Sequence, residues 1–339
     1  MKKRFTALLL VALMLSAAVC ACAAKEEGAA GENLPKKTKV VLNEVAHSIF
    51  YAPMYVAIEE GYFQEEGIDL ELVTGFGADK TMTAVLSDSA DIGFMGSEAS
   101  IYTYNEGATD HVVNFAQLTQ RAGNFLVARQ EMPDFTWEDL KGTDVLGGRK
   151  GGMPQMVFEY ILKQNGIDPA KDVAIDQSID FGSTAAAFAE GQADFTVEFE
   201  PGATSLEQEG KGYVVASLGT DSGYVPYTAF SAKQSYLDEN PDVIQGFTNA
   251  LQKGMDFVQA HTPEEIAAVI EPQFKETDLD TITTIVSRYY EQDTWKDNLI
   301  FQEESFDLLQ DILDEAGELS KRASYADLVT TEFAEKAAR

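Results

Sequence analysis

The chain has 339 residues, 45% of them hydrophobic, with 25 Lys and Arg against 56 Asp and Glu, a formal net charge of −31. That is enough chain for two ordinary domains with real cores. The acidity argues strongly against a nucleic-acid role, which needs a basic surface. It leaves the charge of a small ligand open, because a local site can oppose the global field.

Residues 1–21 read as an export signal. Lys2, Lys3 and Arg4 form its basic start, and Phe5 to Val19 is an apolar run too short for a comfortable membrane span. The only cysteines, Cys20 and Cys22, are too close in sequence for a good structural disulfide. Val19-Cys20-Ala21-Cys22 instead reads as a bacterial lipobox, aliphatic at −3 and small at −1, so Cys22 is the expected lipidated residue. Cleavage there removes three positive charges, taking the net charge from −31 to −34, and leaves no other cysteine. Thiol nucleophiles, iron–sulfur clusters and cysteine-based zinc sites are thereby excluded. Residues 22–37 are small, charged and aperiodic, as in a flexible tether.

The folded part is organised around a β-α-β unit at Lys39–Asp79. KVVLNEV is a nearly continuous apolar run, as for a strand buried on both faces. An aromatic loop, His47 to Pro53, follows. The segment MYVAIEEGYF has Tyr55, Ile58, Tyr62 and Phe63 at helical spacing, with Gly67 ending the helical region. DLELV is the next strand, and Gly75-Phe76-Gly77 turns into another helix. ADIGFM is a third strand, after which Ser97 or Glu98 caps a helix ending at Gly107. VVNFAQL and NFLVAR are the fourth and fifth strands, with Gln120-Arg121 between them. Thr136 is an N-cap with Asp139 at N3.

The unit recurs about a hundred residues on. Asn165-Gly166-Ile167-Asp168 matches Glu66-Gly67-Ile68-Asp69. VAIDQSI then runs into Phe181-Gly182-Ser183-Thr184 as the earlier strand runs into Phe76-Gly77-Ala78-Asp79. Ala193-Asp194 echoes Ala90-Asp91. Each Ala-Asp leads into a strand that ends in an acidic loop, Gly96-Ser97-Glu98 in the first copy and Glu198-Phe199-Glu200 in the second. Two copies imply two lobes whose strand-end loops face one another, which is where open α/β sheets bind ligands. The second lobe opens with VLGGRKGGMPQM, a strand entering a glycine loop with Pro154 at a helix start. Free backbone N–H groups there suit a ligand, although neither the phosphate-loop nor the dinucleotide spacing is present. After GYVVASL and YTAFSAK the chain is helical, with caps at Asn240-Pro241 and Thr262-Pro263-Glu264-Glu265. These helices are expected to pack back on the first lobe. The expected division is 38–128 with 228–339 for lobe I and 129–227 for lobe II, joined by two crossings that form a hinge.

No catalytic constellation can be assembled. His47, His111 and His261 are far apart, and no HExxH or GxSxG motif occurs. No metal, cofactor or enzymatic activity is expected.

Tyr51-Ala52-Pro53, EEGYFQEEGIDLEL, SADIGF, GGRKGGMPQM and FAEGQADF resemble the substrate-binding proteins of ABC importers. The branch is the one that includes nitrate, sulfonate and taurine binders and binders of thiamine-precursor pyrimidines. The resemblance covers about residues 38–320. It implies an α/β, two-lobe type II periplasmic-binding-protein fold with an interlobe cleft, one bound small molecule, and delivery to a membrane permease. The same superfamily includes a pyrimidine-synthesising enzyme, whose cysteine-rich motif is absent here. A monomer is expected, tethered to the outer face of the cell membrane by lipid alone. The candidate cleft residues are His47, Ser48, Phe50, Tyr51, Phe76, Gly96, Ser97, Glu98, Gln120, Arg121, Lys150, Gly152, Met153, Pro154, Glu198 and Glu200. Glutamates beside rings suit a flat amino-heterocycle, with ring faces for Tyr51 or Phe76 and N–H donors for Glu198 or Glu98. The alternative is an anion such as nitrate, taurine or an alkanesulfonate held by Arg121, Lys150 and the helix start at Pro154.

Overall fold

A computed structural model describes residues 37–179 and 181–339. The expected export signal, the lipidation site Cys22 and the tether up to Lys36 lie outside the described residues. The strands in chain order are β1 (Thr38–Glu44), β2 (Ile68–Thr74), β3 (Ile92–Gly96), β4 (Val112–Thr119), β5 (Asn124–Ala128), β6 (Asp144–Leu146), β7 (Ala174–Asp176), β8 (Phe195–Phe199), β9 (Tyr213–Ser217) and β10 (Thr228–Lys233). They form two sheets, ordered β2-β1-β3-β10-β4 and β7-β6-β8-β5-β9.

The sheets share one plan. Three parallel strands lie side by side, β2-β1-β3 in one and β7-β6-β8 in the other. An antiparallel strand then joins each sheet, β10 in the first and β5 in the second. The sequence repeat therefore marks equivalent positions. Gly67 and Gly166 both turn with positive φ, 74° and 72°, which a residue without Cβ adopts at no steric cost. Asp91 accepts the Val41 N–H on Oδ2 at 2.7 Å and returns its own N–H to the Val41 carbonyl. Asp194 does the same with Asp144, at 3.1 Å. The recurring Ala-Asp is thus a clip that ties the third strand of each unit to the first.

Strands β3, β4 and β5 are buried throughout, β4 although it ends its sheet, because helices cover it. Edge strand β2 alternates, with Asp69 and Glu71 turned outward. Strand β7 is shorter than VAIDQSI suggests. Asp176 accepts hydrogen bonds from the backbone and hydroxyl of Ser178 and turns the chain early.

Residues 124–128 do not join lobe I as the sequence suggests: β5 pairs with β8 and β9 and belongs to the second sheet. The crossings run through residues 120–123 and 218–227, and each delivers its strand into the middle of the other sheet. The long helical segment 54–63 is also two pieces, α1 (Ala52–Glu59) and a turn at Tyr62–Glu65, because Gly61 takes φ 77°.

Four further helices come from the βα connections, α2 (Ala78–Leu86), α3 (Glu98–Asn105), α4 (Met153–Gln164) and α5 (Phe181–Ala189). A short α6 (Gly202–Gln208) follows β8. The capping boxes at Thr136 and Thr262 form as their sequences predict. In the C-terminal part α7 (Pro241–Ala260) packs closely on α1. A Cβ at Gly254 would lie 2.2 Å from the Pro53 carbonyl oxygen. Helices α8 (Leu279–Glu291) and α9 (Glu303–Glu315) do not stay on the first lobe. Arg288 of α8 pairs with Glu200 and Glu207, and Lys163 of α4 donates to the Glu315 carbonyl of α9. One apolar cluster runs through both sheets. Phe50 sits at its junction, packing on Tyr51, Phe199, Tyr227 and Tyr289 with ring centroids 5.1–6.1 Å apart. No helix among the described residues is long and apolar enough to cross a membrane.

Candidate functional site

The loops leaving the carboxyl ends of β1, β3, β6 and β8 meet between the two sheets, and they are closed on one another. Ser48 donates to the Glu200 carbonyl at 3.1 Å, and the Tyr102 hydroxyl donates to the Gly151 carbonyl at 3.2 Å. Arg149 makes a bidentate bridge to Asp79, at 3.1 and 2.9 Å.

Glu98 lies at the centre of this contact. It opens α3 immediately after β3, and its carboxylate folds back over Gly96. A Cβ at Gly96 would fall 2.1 Å from Glu98 Oε2, so only glycine permits this pose. The side chain is 2% exposed. Burial pushes its pKa up to about 7, against the pull of two facing backbone N–H groups, its own and that of Met153. The second of these is the start of α4, across the cleft. Oε2 has no hydrogen-bond partner among the described residues. Tyr51 and Tyr227 lie close enough for the Glu98 charge to add to the burial that raises both phenols. Tyr51 packs edge-on against Phe94, centroids 4.5 Å apart, and the Tyr227 hydroxyl donates to Asn124 Oδ1 at 2.5 Å. Asn124 is fully buried, and its Nδ2 is likewise without a partner among the described residues.

The other two glutamates differ from Glu98. Glu198 is buried and accepts hydroxyl hydrogen bonds from Thr196 at 2.6 Å and Thr184 at 3.1 Å. Burial raises it to about 7, with a contribution from Glu200. Glu200 is fully engaged. It accepts the backbone and hydroxyl of Thr204, both at 2.9 Å, and pairs with Arg288 at 2.7 Å. Its work is to hold the start of α6 and to join the second lobe to α8.

The remaining predicted residues divide by location. Phe50, Tyr51, Ser97, Met153 and Pro154 are buried at the junction of the lobes, with Gly96 beneath Glu98 and Gly152 capping α4. His47 is committed to structure: Nδ1 meets Glu44 Oε1 at 2.8 Å, Nε2 meets the Gln273 carbonyl at 2.9 Å, and the Glu44 hydrogen bond raises its pKa. Phe76 was expected to stack in the cleft but is 73% exposed, because its left-handed φ of 57° turns the chain outward. Gln120 ties the first crossing to the carbonyls of Asp293 and Trp295. Arg121 spans the two crossings, donating to the Gly219 carbonyl and lying over the Tyr224 ring. Lys150 is exposed and reaches Glu318 at 3.4 Å. Lys150 is thus paired with Glu318, whereas Arg121 is held at the crossings with its buried Nε left without a partner among the described residues.

Asn124, Thr184, Tyr227 and Arg288 were missed. Asn124 and Tyr227 stand at the end of each crossing, where a strand is about to begin, and that position was the signal available. Two shallow surface depressions, one along β6 and β7 and one beside Arg288 and Gln292, do not reach Glu98. No group of three or more His, Cys, Asp or Glu among the described residues could hold a metal ion.

Two α/β lobes that exchange their fourth strands and face each other across strand-end loops define the periplasmic-binding-protein fold, the fold of the substrate-binding proteins of ABC importers. The chain belongs to the NMT1/THI5-like family, whose model matches residues 49–266. It is 50% identical over 299 residues to a Bacillus subtilis (strain 168) protein named "Putative binding protein YtlA", covering 88% of this chain and 90% of that one. Among solved structures, it is similar to the alkanesulfonate-binding protein SsuA from Xanthomonas axonopodis pv. citri bound to MOPS (TM-score 0.70, 15% identity, 87% of this chain and 99% of that one). It is also similar to the periplasmic nitrate-binding protein NrtA from Synechocystis PCC 6803 (TM-score 0.72, 16% identity, 90% and 89%). At these identities the two structures speak for the fold.

Proposed function

We propose that this protein is the extracytoplasmic binding subunit of an ABC importer, tethered through Cys22, and that its lobes close over a flat amino-heterocycle of the thiamine-precursor pyrimidine kind for delivery to a permease. Glu98 carries the reading. A carboxylate oxygen buried without a partner is costly, and an N–H donor on a ligand relieves that cost. Tyr51 and Tyr227 are near enough to feel its charge, and aromatic rings of this kind supply flat apolar surface. An anion fits less well. The N–H of Met153, at the helix start where an anion would sit, already faces the Glu98 carboxylate. Lys150 and Arg288 are paired with other carboxylates, and the Arg121 guanidinium is held by the Gly219 carbonyl and the Tyr224 ring with only its Nε left unpaired among the described residues.

A thermal-shift panel of amino-pyrimidines, alkanesulfonates, taurine, nitrate and amines tests this. At about 100 times the dissociation constant the ligand should stabilise the protein by roughly 2.7 kcal/mol. Glu98→Gln should weaken amino-pyrimidine binding while Lys150→Ala leaves it unchanged. Stabilisation by taurine or nitrate with no response to any pyrimidine overturns the assignment. Turnover of a bound pyrimidine would instead favour the synthase class.

A further inference from the structure

Two buried polar atoms of opposite hydrogen-bonding sense flank Tyr227. Glu98 Oε2 is an acceptor without a partner among the described residues, and Asn124 Nδ2 is a donor without one. The residues come from different parts of the fold. Glu98 follows β3 in the first sheet, and Asn124 is the first residue of β5 in the second. Tyr227, on the return crossing, lies near both: its hydroxyl holds Asn124 Oδ1 at 2.5 Å, and Ser97, next to Glu98, donates to the carbonyl of Pro226, next to Tyr227, at 3.3 Å. With Oδ1 on that hydroxyl, Nδ2 is the end of the amide left over. A buried donor left unpaired is costly, a cost that a ligand acceptor removes.

We infer that Asn124 is a specificity-determining residue of the cleft, whose Nδ2 donates to an acceptor on the same ligand that gives an N–H to Glu98 Oε2. This rests on the proposed function and narrows it. A ligand that only donates, such as an amine or an aniline, leaves Asn124 unpaired. One that only accepts, such as an unsubstituted azine, leaves Glu98 unpaired. The class that satisfies both is a planar ring carrying an amino group and a ring nitrogen.

The test is titration calorimetry of the full chain with 4-aminopyrimidine, aniline and pyrimidine. Wild type should prefer 4-aminopyrimidine over each of the others by tenfold or more. Asn124→Ala should reduce the preference over aniline to within about threefold and keep the preference over pyrimidine. Tyr227→Phe, which releases the amide without removing it, should reduce the preference over aniline partway. Circular dichroism establishes that each variant is folded. If folded Asn124→Ala still prefers 4-aminopyrimidine over aniline tenfold, the role of Asn124 is overturned and the amino-heterocycle reading stands. Should Asn124→Ala not fold, undiminished discrimination in Tyr227→Phe overturns it equally. If wild type binds none of the three probes and binds an alkanesulfonate, both the inference and the reading beneath it fail.

Discussion

Replacing Glu98 by glutamine should make the protein more stable above neutral pH and leave it nearly unchanged in mild acid. In the unfolded chain this carboxyl titrates near its ordinary value of 4.5, and in the native state near 7. Between those values the native state holds a proton that the unfolded chain has released, so stability falls as pH rises through the window and the loss is complete above it. The distance from 4.5 to about 7 sets an upper bound of about 3 kcal/mol for this one group. Glutamine keeps the shape and an oxygen for the Met153 N–H without the charge. The variant should exceed wild type by less than about 1 kcal/mol at pH 5 and by up to about 3 kcal/mol at pH 8, the latter a Tm difference of roughly 6 °C for a chain of this size. The other resolved shifts do not obscure the result. Glu198, raised by burial to about 7, and His47, raised by its Glu44 hydrogen bond, lose stability in the same direction as pH rises, and both are common to the two proteins. Asp168 and Asp278, lowered by hydrogen bonds from Lys171 and Thr281, act below pH 4. Urea denaturation at pH 5, 6, 7 and 8 measures the difference. A stability gap between variant and wild type that does not widen with pH would refute the reasoning, since it would mean that Glu98 is not buried in its charged form.

Other perturbations test other parts of the structure. Arg288→Ala leaves Glu200 buried without its charge partner, although Thr204 still donates to it. Urea denaturation should show a loss of about 3 kcal/mol, the low end for a broken buried pair; a loss under 1 kcal/mol would mean the pair is solvated. Gly254→Ala forces a Cβ against the Pro53 carbonyl between α7 and α1 and should cost about 2 kcal/mol or more by the same measurement. Asp79→Asn removes the bridge to Arg149, whose side chains are about half exposed. It should change stability by less than about 1 kcal/mol, and a larger effect would make that bridge a true interlobe latch. Cys22→Ser should move the protein from the membrane to the soluble fraction, because stable anchoring needs the acyl chains of a lipidated cysteine; release by Cys20→Ser alone would relocate the cleavage site.

Much of this protein was legible without its fold. The paired glycines before β2 and β7 and the capping boxes at Thr136 and Thr262 depend on residues within a few positions of each other, and local sequence determines local geometry; the two Ala-Asp clips join strands 50 residues apart and were legible only because the motif repeats. Glu98 was also placed correctly at a strand end, because the repeat put it there. Tertiary structure decided the rest, through partners distant in sequence. β5 is as apolar as its neighbours, and nothing in NFLVA says which sheet will accept it; β8 and β9 do. Glu200 looked equivalent to Glu98 until α8 brought Arg288 to it from 88 residues away. Asn124 looked like the polar start of a strand until Tyr227, 103 residues later, took its oxygen and left its nitrogen unpaired. Burial and pairing of polar groups are properties of the assembled interior, so the sequence named the acidic loops between the lobes, and only packing determined which of their carboxylates keeps an oxygen without a partner among the described residues.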